Sequence, residues 1–152
     1  MKISAKADYA VRAMLELAVH AGEKPCKGDA ISRAQDIPLK FLENILVDLR
    51  RADLVRSQRG AEGGYWLARD AADIPVADVI RAVDGPLACV RGERPETVEY
   101  ADAARNLPQV WVAVRASIRA VLEQVSIADV LAGELPTEVQ LLTADPEAWS
   151  PH

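Results

Sequence analysis

The groups with the clearest chemical use surround a glycine-rich bend in the segment RSQRGAEGGYWL, residues 56–67. Arg59 is followed at once by Gly60, and then by Gly63 and Gly64. Glycine permits positive φ and close backbone approach, both of which the tip of a β-hairpin needs. A guanidinium on such a tip can reach a phosphate or enter the minor groove of a DNA duplex. The segment therefore predicts a hairpin with a cationic end.

Side-chain sets of the kind that enzymes use are not evident elsewhere in the sequence. We find no Ser–His–Asp or Cys–His arrangement and no metal-ligand spacing. The segment GAEGG follows an expected strand but opens no helix, so it does not match a phosphate-cradling loop. The sequence therefore predicts that the protein is not an enzyme.

Basic residues are concentrated in the first half of the chain, although the net charge of the whole is −5. Residues 1–70 hold 12 Lys and Arg against 10 Asp and Glu, whereas residues 71–152 hold 6 against 13. A polyanionic partner would have to meet the first half, with the acidic half turned away.

The length of 152 residues fits one domain, with room for an appendage. No run of about 20 apolar residues occurs, so the sequence predicts no membrane span or membrane partner. The start, MKISAKADYA, lacks the features of a secretory signal. Two cysteines, Cys26 and Cys89, are too few for a disulfide scaffold, and the expected compartment is the cytoplasm.

Three helices are expected ahead of the bend. The first runs from the N-cap Ser4 to about Ala21, and the second, short one covers residues 28–35. The segment DIP, residues 36–38, interrupts the pattern, and the third helix runs over residues 39–52. The residues expected to face the core from the second and third helices are Ile31, Ala34, Leu39, Leu42, Ile45, Leu46 and Leu49.

Two helices joined by a tight turn and followed by a hairpin over residues 54–68 form a winged helix. The expected fold is therefore mainly α with a small β-hairpin wing. Tyr65 and Trp66 are expected to pack the wing onto the core.

Beyond the wing, residues 74–85 predict another helix, and residues 85–102 lack clean periodicity and predict a loop. A long helix from Leu107 to about Val125 carries an apolar stripe wider than one short domain needs, which favours pairing with a second copy. A capped short helix, SIADVLAG, follows, and we expect the tail to be loosely held.

Four stretches, ISAKADYAVRAMLELA, LKFLENILVDLRRADLV, RGAEGGY and IPVADVIRAVDG, together resemble the Rrf2 family of bacterial winged-helix transcription regulators. The resemblance covers residues 1–85 in order, and the long helix and SIADVL agree with the family's dimerisation helix and last helix. It implies a homodimer on a palindromic operator in double-stranded DNA. One recognition helix would enter each major groove, and the wings would lie in the flanking minor grooves.

Carried onto this sequence, the resemblance makes residues 39–52 the recognition helix. Glu43 could accept from a cytosine amino group, and Lys40 could contact a phosphate or a guanine edge. Glu43 could equally be a solvated helix residue, and Arg50 and Arg51 could serve the helix dipole instead of phosphates. The full candidate DNA-binding set is Lys40, Glu43, Asn44, Arg50, Arg51, Arg59, Gly60, Gly63 and Gly64. Ala61–Glu62 replaces the more usual proline–glycine pair at the tip, and Glu62 would repel phosphate.

The loop before the long helix departs from the resemblance. Many Rrf2 members hold an iron–sulfur cluster there with three cysteines about six residues apart, and a cluster normally needs four ligands. This loop offers only Cys89, and Asp8, an extra ligand in some members, brings the set to two. We therefore expect no cluster, no other cofactor and no metal site, and a cluster bridging two subunits is the less favoured alternative.

Regulation by other means stays open. Cys89 could be a reactive thiol, since the flanking cations Arg91 and Arg94 favour a thiolate. It could as well be a small buried hydrophobe. A small-molecule or protein effector meeting the loop and the long helix is a further possibility.

The sequence thus predicts a dimeric, sequence-specific DNA-binding regulator, of the repressor kind. The alternative is a winged helix that serves as a protein-interaction module without useful DNA affinity. We divide the chain into a DNA-binding domain at 1–84, a sensor loop at 85–106, a dimerisation helix and final short helix at 107–132, and a tail at 133–152.

Overall fold

Helices and one two-stranded antiparallel hairpin account for the fold of residues 2–151, the part of the chain that this computed structural model describes. The helices are α1 (Ala5–Val19), α2 (Gly28–Gln35), α3 (Leu39–Arg51), α4 (Val76–Asp84), α5 (Leu107–Leu122), α6 (Ile127–Ala132) and α7 (Thr137–Ala144), and the strands are β1 (Val55–Gln58) and β2 (Gly64–Leu67). The predicted fold, mainly α with a small β-hairpin wing, is confirmed. No described helix is both long and apolar enough to cross a membrane.

The core forms around α1, which packs against α2, α3, α4, α6 and the wing strand β2. Its buried face is rich in alanine, and such small side chains let several elements approach one helix closely. The buried residues of α1 are Ala7, Ala10, Ala13, Met14, Leu17 and Ala18. The helix ends at Val19, earlier than predicted, so Ala21 is exposed in the turn that Gly22 completes at a φ of +82°.

The turn between α2 and α3 is built from local hydrogen bonds and one buried anchor. Asp36 ends α2 in the left-handed conformation, with a φ of 50°. Ser32 Oγ donates to the carbonyl oxygen of Ile37 over 2.6 Å, and the Ile37 side chain is only 2% exposed. Arg12 of α1 donates to the Gln35 carbonyl over 2.6 Å. The buried Ile37 side chain and these hydrogen bonds therefore fix the direction in which α3 leaves the turn.

Two residues expected to face the core do not. Ala34 is exposed, because α2 has only eight residues and buries a single side chain, Ile31. Leu39, the first residue of α3, is 41% exposed and lies beside Gly28, which has no side chain to cover it. The deeper turns of α3 bury Leu42, Ile45, Leu46 and Leu49 as predicted.

The hairpin is held to the body of the protein by a third stretch of backbone. Within it, Val55 pairs with Leu67 and Gln58 with Gly64. The Tyr65 N–H donates to the Cys26 carbonyl over 2.8 Å, and the Cys26 N–H donates to the Tyr65 carbonyl over 2.9 Å. The wing is thus anchored to the segment that precedes α2.

The C-terminal part differs from the prediction in one respect. The segment after α5 returns to α4, where the Val76 N–H donates to the Val125 carbonyl over 2.8 Å. Residues expected to form a loosely held tail instead contain α7, and Val139 of that helix is 7% exposed in the core. The expectation of a loose tail is therefore wrong for this part of the segment, because Leu135 and Val139 pack against the core.

Candidate nucleic-acid interface

The outer face of α3 carries the residues expected to read DNA. Lys40, Glu43 and Asn44 are all exposed, opposite the buried leucines of the same helix. Lys6 of α1 fixes this helix, because its Nζ lies 2.7 Å from Asp48 Oδ2 of α3 and 2.9 Å from the Val83 carbonyl of α4. The face is therefore presented by a helix tied to two neighbours.

Of the two C-terminal arginines of α3, Arg50 contacts the wing and Arg51 contacts its own helix. Arg50 Nη1 donates to Ser57 Oγ of β1 over 3.2 Å, and Arg51 Nη1 lies 3.9 Å from Asp48 Oδ1. Both side chains remain exposed. Arg50 therefore links the end of the helix to the hairpin while its remaining N–H groups stay accessible.

The wing tip brings Arg59 to the surface directly after β1. Gly60 has a φ of +102° and Gly64 a φ of +150°, both in the region that favours glycine. A Cβ at Gly63 would lie 2.1 Å from the Gln58 carbonyl oxygen, and one at Gly64 would lie 2.5 Å from the Cys26 carbonyl oxygen. A side chain at Gly63 would therefore collide within the tip itself, and one at Gly64 would collide with the Cys26 segment that anchors the wing.

Two lysines at the wing were not singled out from the sequence. Lys27 Nζ donates to the Gly60 carbonyl over 2.9 Å, and Lys24 Nζ lies 3.8 Å from Glu62 Oε2. The Lys24 contact partly offsets the phosphate repulsion expected of Glu62, although such an exposed pair contributes little energy. Both contacts join residues more than 30 positions apart in the sequence. They form because the pairing of Cys26 with Tyr65 brings the segment before α2 next to the wing.

The described cations differ in whether a carboxylate already neutralises them. Lys6, Arg12 and Arg33 of α1 and α2 each lie within 4.0 Å of an Asp. Across residues 2–151, no carboxylate approaches Lys40 or Arg59 that closely. Lys40 and Arg59 therefore leave positive charge on α3 and the wing available to a polyanion.

Aromatic residues divide between core and surface. Tyr65 packs against the core as predicted, but Trp66 lies opposite Arg56 in the hairpin register and does not belong to that packing. Phe41 is 63% exposed on α3 and was not predicted as a site residue. It lines a groove of about 680 Å³ together with Tyr9, Asn44 and Arg51. Its exposure could be inferred from its place outside the buried stripe of α3.

The loop at residues 85–106 keeps Cys89 at the surface. Its exposure contradicts the alternative in which Cys89 is a buried hydrophobe. Arg91 and Gly92 form a tight turn with φ values of 54° and 82°, and the Arg91 guanidinium lies over the Tyr100 ring at 5.7 Å from its centre. By contrast, burial first and Glu16 second raise the pKa of the Cys26 thiol, so its thiolate is disfavoured.

The donor groups of the loop do not suit an iron–sulfur cluster. Such a cluster prefers thiolates and normally takes four ligands, whereas the loop supplies only the Cys89 thiol. Asp8 lies 3.5 Å from Arg12, an ion pair that a metal ligand would have to give up. Within the described residues, no three His, Cys, Asp or Glu side chains meet as a metal-holding group. The expectation that the protein has no cofactor stays a prediction.

A helix-turn-helix with an exposed α3 face and a glycine-tipped cationic wing defines the winged-helix class of DNA-binding transcription regulators. The chain belongs to the Rrf2 family, whose sequence model, described as an iron-dependent transcriptional regulator, matches residues 3–133. Members of this family are regulators and not enzymes, so the prediction of no enzymatic activity is confirmed.

Named relatives agree with this assignment. The chain is 50% identical over 145 residues to the HTH-type transcriptional regulator Rv1287 of Mycobacterium tuberculosis, covering 95% of this chain and 90% of the relative. The solved structure of CymR, the global cysteine regulator of B. subtilis, superposes with a TM-score of 0.73 at 32% identity, covering 87% of this chain and 97% of CymR. IscR of T. potens superposes with a TM-score of 0.68 at 34% identity, covering 100% and 93%.

Proposed function

We propose that the protein is a dimeric repressor that binds a palindromic operator, with α3 in the major groove and the wing in the adjacent minor groove. The observation that carries the proposal is the placement of Lys40 and Arg59. Both are exposed without a neighbouring carboxylate, on the two elements that a winged helix directs at DNA. Related HTH-type regulators share the chain's length and fold, which supports the same use.

On this proposal, the residues of the interface have separate tasks. Glu43 and Asn44 contact base edges, and Lys40 contacts a guanine edge or a phosphate. Arg50, Arg51 and Arg59 neutralise phosphates, with the Arg59 guanidinium reaching toward the minor groove. Gly60 leaves the exposed end of the tip free to approach the DNA backbone, whereas Gly63 and Gly64 are buried and act by shaping the tip and its anchor.

The dimeric state is supported by α5. None of its residues is buried, although Ile118, Val121 and Leu122 pack against the core. Val110, near its start, is 51% exposed. An apolar helix half covered by its own chain suits a twofold contact that spaces two α3 helices along the duplex.

The test begins with selection of genomic fragments bound by the purified protein, which defines the operator. Operator affinity is then measured by fluorescence anisotropy over a range of salt concentrations. For Z neutralised phosphates, log affinity should fall against log salt with a slope of about −0.9Z. Arg59→Ala should make that slope less negative by about one and weaken binding, because one phosphate contact is removed.

Arg105→Ala is the matched control, because Arg105 is an exposed arginine outside the winged helix and should leave both quantities unchanged. Absent or salt-independent binding would overturn the proposal and favour the protein-interaction module. Transcription in vitro from the selected promoter tests the repressor role, and increased transcription on adding the protein would contradict it.

A further inference from the structure

Four arginines of the acidic half of the chain meet around one cavity. Residues 71–152 hold only six Lys and Arg against 13 Asp and Glu. Four of those six, namely Arg81, Arg94, Arg115 and Arg119, line a single cavity of about 260 Å³.

Three separate elements supply these side chains. Arg81 comes from α4, and Arg94 comes from the loop at 85–106. Arg115 and Arg119 stand four residues apart on α5, so both project from one face of that helix. The cavity therefore lies where the DNA-binding unit, through α4, meets the long helix.

Carboxylates occupy part of the arginines' hydrogen-bonding capacity. Arg115 Nη1 lies 2.6 Å from Glu96 Oε2, and Arg119 Nε lies 2.9 Å from Glu123 Oε1, which Arg81 also contacts. Each guanidinium has five N–H donors, and these pairs leave most of them unused. Arg94 is exposed and, among the described residues, has no carboxylate within 4.0 Å.

The field around the cavity favours the ionised form of a carboxyl group. Hydrogen bonds from Arg81 first and Arg119 second lower the pKa of Glu123. A backbone hydrogen bond lowers the pKa of Glu96, and Arg115 adds to that effect. The arginines thus already stabilise negative charge on two carboxylates, Glu96 in the lining of the cavity and Glu123 beside Arg81 and Arg119.

We propose that this cavity, the arginine pocket, binds a small organic anion through a carboxylate or phosphate group. Arginine matches both groups with paired N–H donors. Arg81 and Arg115 are partly shielded from solvent, which strengthens their hydrogen bonds, and the exposed Arg94 and Arg119 add positive charge at the mouth. The volume has room for several water-sized groups, since a water occupies about 30 Å³ in the liquid. Pro86, Leu87 and Pro95 supply apolar walls beside the charged ones.

The experiment is isothermal titration calorimetry of the full chain without DNA, at constant ionic strength. Inorganic phosphate and succinate are the two probes, and they distinguish phosphate-bearing from carboxylate-bearing ligands. At least one should bind saturably. Arg94→Gln and Arg119→Gln should each weaken that binding about tenfold, because each removes a charge-assisted donor set. Arg105→Gln makes the same charge change outside the pocket and should bind as the wild type does.

Two outcomes would overturn the arginine pocket. One is the absence of saturable binding by either probe up to about 10 mM, a weak-binding limit. The other is unchanged affinity in both pocket variants, with circular dichroism confirming that they are folded. Because no DNA is present, failure here is separate from failure of the proposed repressor function.

Discussion

Gly64 is a residue at which the wing tolerates no side chain. An added Cβ would lie 2.5 Å from the Cys26 carbonyl oxygen, on backbone that cannot move aside without breaking the anchor. We therefore expect Gly64→Ala to lower the free energy of unfolding by about 1–3 kcal/mol, from strain and a lost contact. Urea unfolding measures this change.

Gly60→Ala is the matched control for that substitution. Gly60 shares a positive φ, at +102°, but a Cβ there would meet nothing within 4 Å. Gly60→Ala should therefore lose only the free energy of the unfavourable φ, and its loss of stability should be smaller than that of Gly64→Ala. Equal losses from the two variants would show that the contact with Cys26 does not constrain the wing.

Glu43 tests whether α3 reads bases. On the proposed function, Glu43→Gln exchanges an acceptor for a group that both donates and accepts, so it should relax selectivity at one operator position. A good base contact is worth about 1–3 kcal/mol of discrimination, while the salt slope should stay the same. Binding to a panel of operators with single base changes measures the selectivity. Glu99→Gln, an exposed change in the loop, serves as control, and unaltered selectivity in Glu43→Gln would leave Glu43 a solvated residue.

At the scale of elements, α6 is held by a reciprocal cap. Asp129 N–H donates to Ser126 Oγ over 3.0 Å, and Ser126 N–H donates to Asp129 Oδ2 over 2.8 Å. Ser126→Ala should cost about 1 kcal/mol of stability, a typical value for a lost N-cap. Thermal or urea unfolding at neutral pH checks this value, and no loss would mean that α6 frays without consequence for the core.

The same cap should make the stability of the protein depend on pH in acid. The backbone hydrogen bond from Ser126 lowers the pKa of Asp129 below its ordinary value of 3.8. A lowered pKa in the folded state gives stability that is present above pH 3.8 and lost as the pH falls through the folded value. Asp129→Asn keeps an acceptor but cannot titrate, so its stability should vary less with pH in that range. Identical acid profiles of the variant and the wild type would contradict this assignment.

The sequence predicts an element well when residues close together in the chain determine it, and poorly when distant residues do. The apolar spacing of α1 and α3, the interruption at residues 36–38 and the glycine bend act over a few residues, and their outcomes agree with the structure. Ala34, Leu39 and the docking of Val139 depend on which neighbour covers a face, which periodicity does not specify. Lys27 at the wing and the four arginines of the pocket are brought together only by tertiary folding.

The long helix α5 carries apolar side chains that its own chain leaves half covered, since none of its residues is buried and Ile118, Val121 and Leu122 are only partly buried against the core. Two copies joined there would hold two winged helices at a fixed separation, so that binding one half-site raises the local concentration of the second. The affinity for a palindromic operator would then exceed that for an isolated half-site because both α3 helices bind together.

The substitution Val110→Asp on α5 tests whether the protein acts as this dimer or as a monomer. A carboxylate at a residue that is 51% exposed costs the monomer little, but burying it in a twofold contact would place two unpaired charges there. Sedimentation equilibrium should therefore show a weaker dimer, and operator binding should fall toward the affinity of a single half-site. Leu141→Asp, at a 68% exposed position on α7, makes the same kind of change outside α5 and should leave both quantities unaltered. A Val110→Asp protein that stays dimeric and binds the full operator normally would remove α5 from the dimer contact.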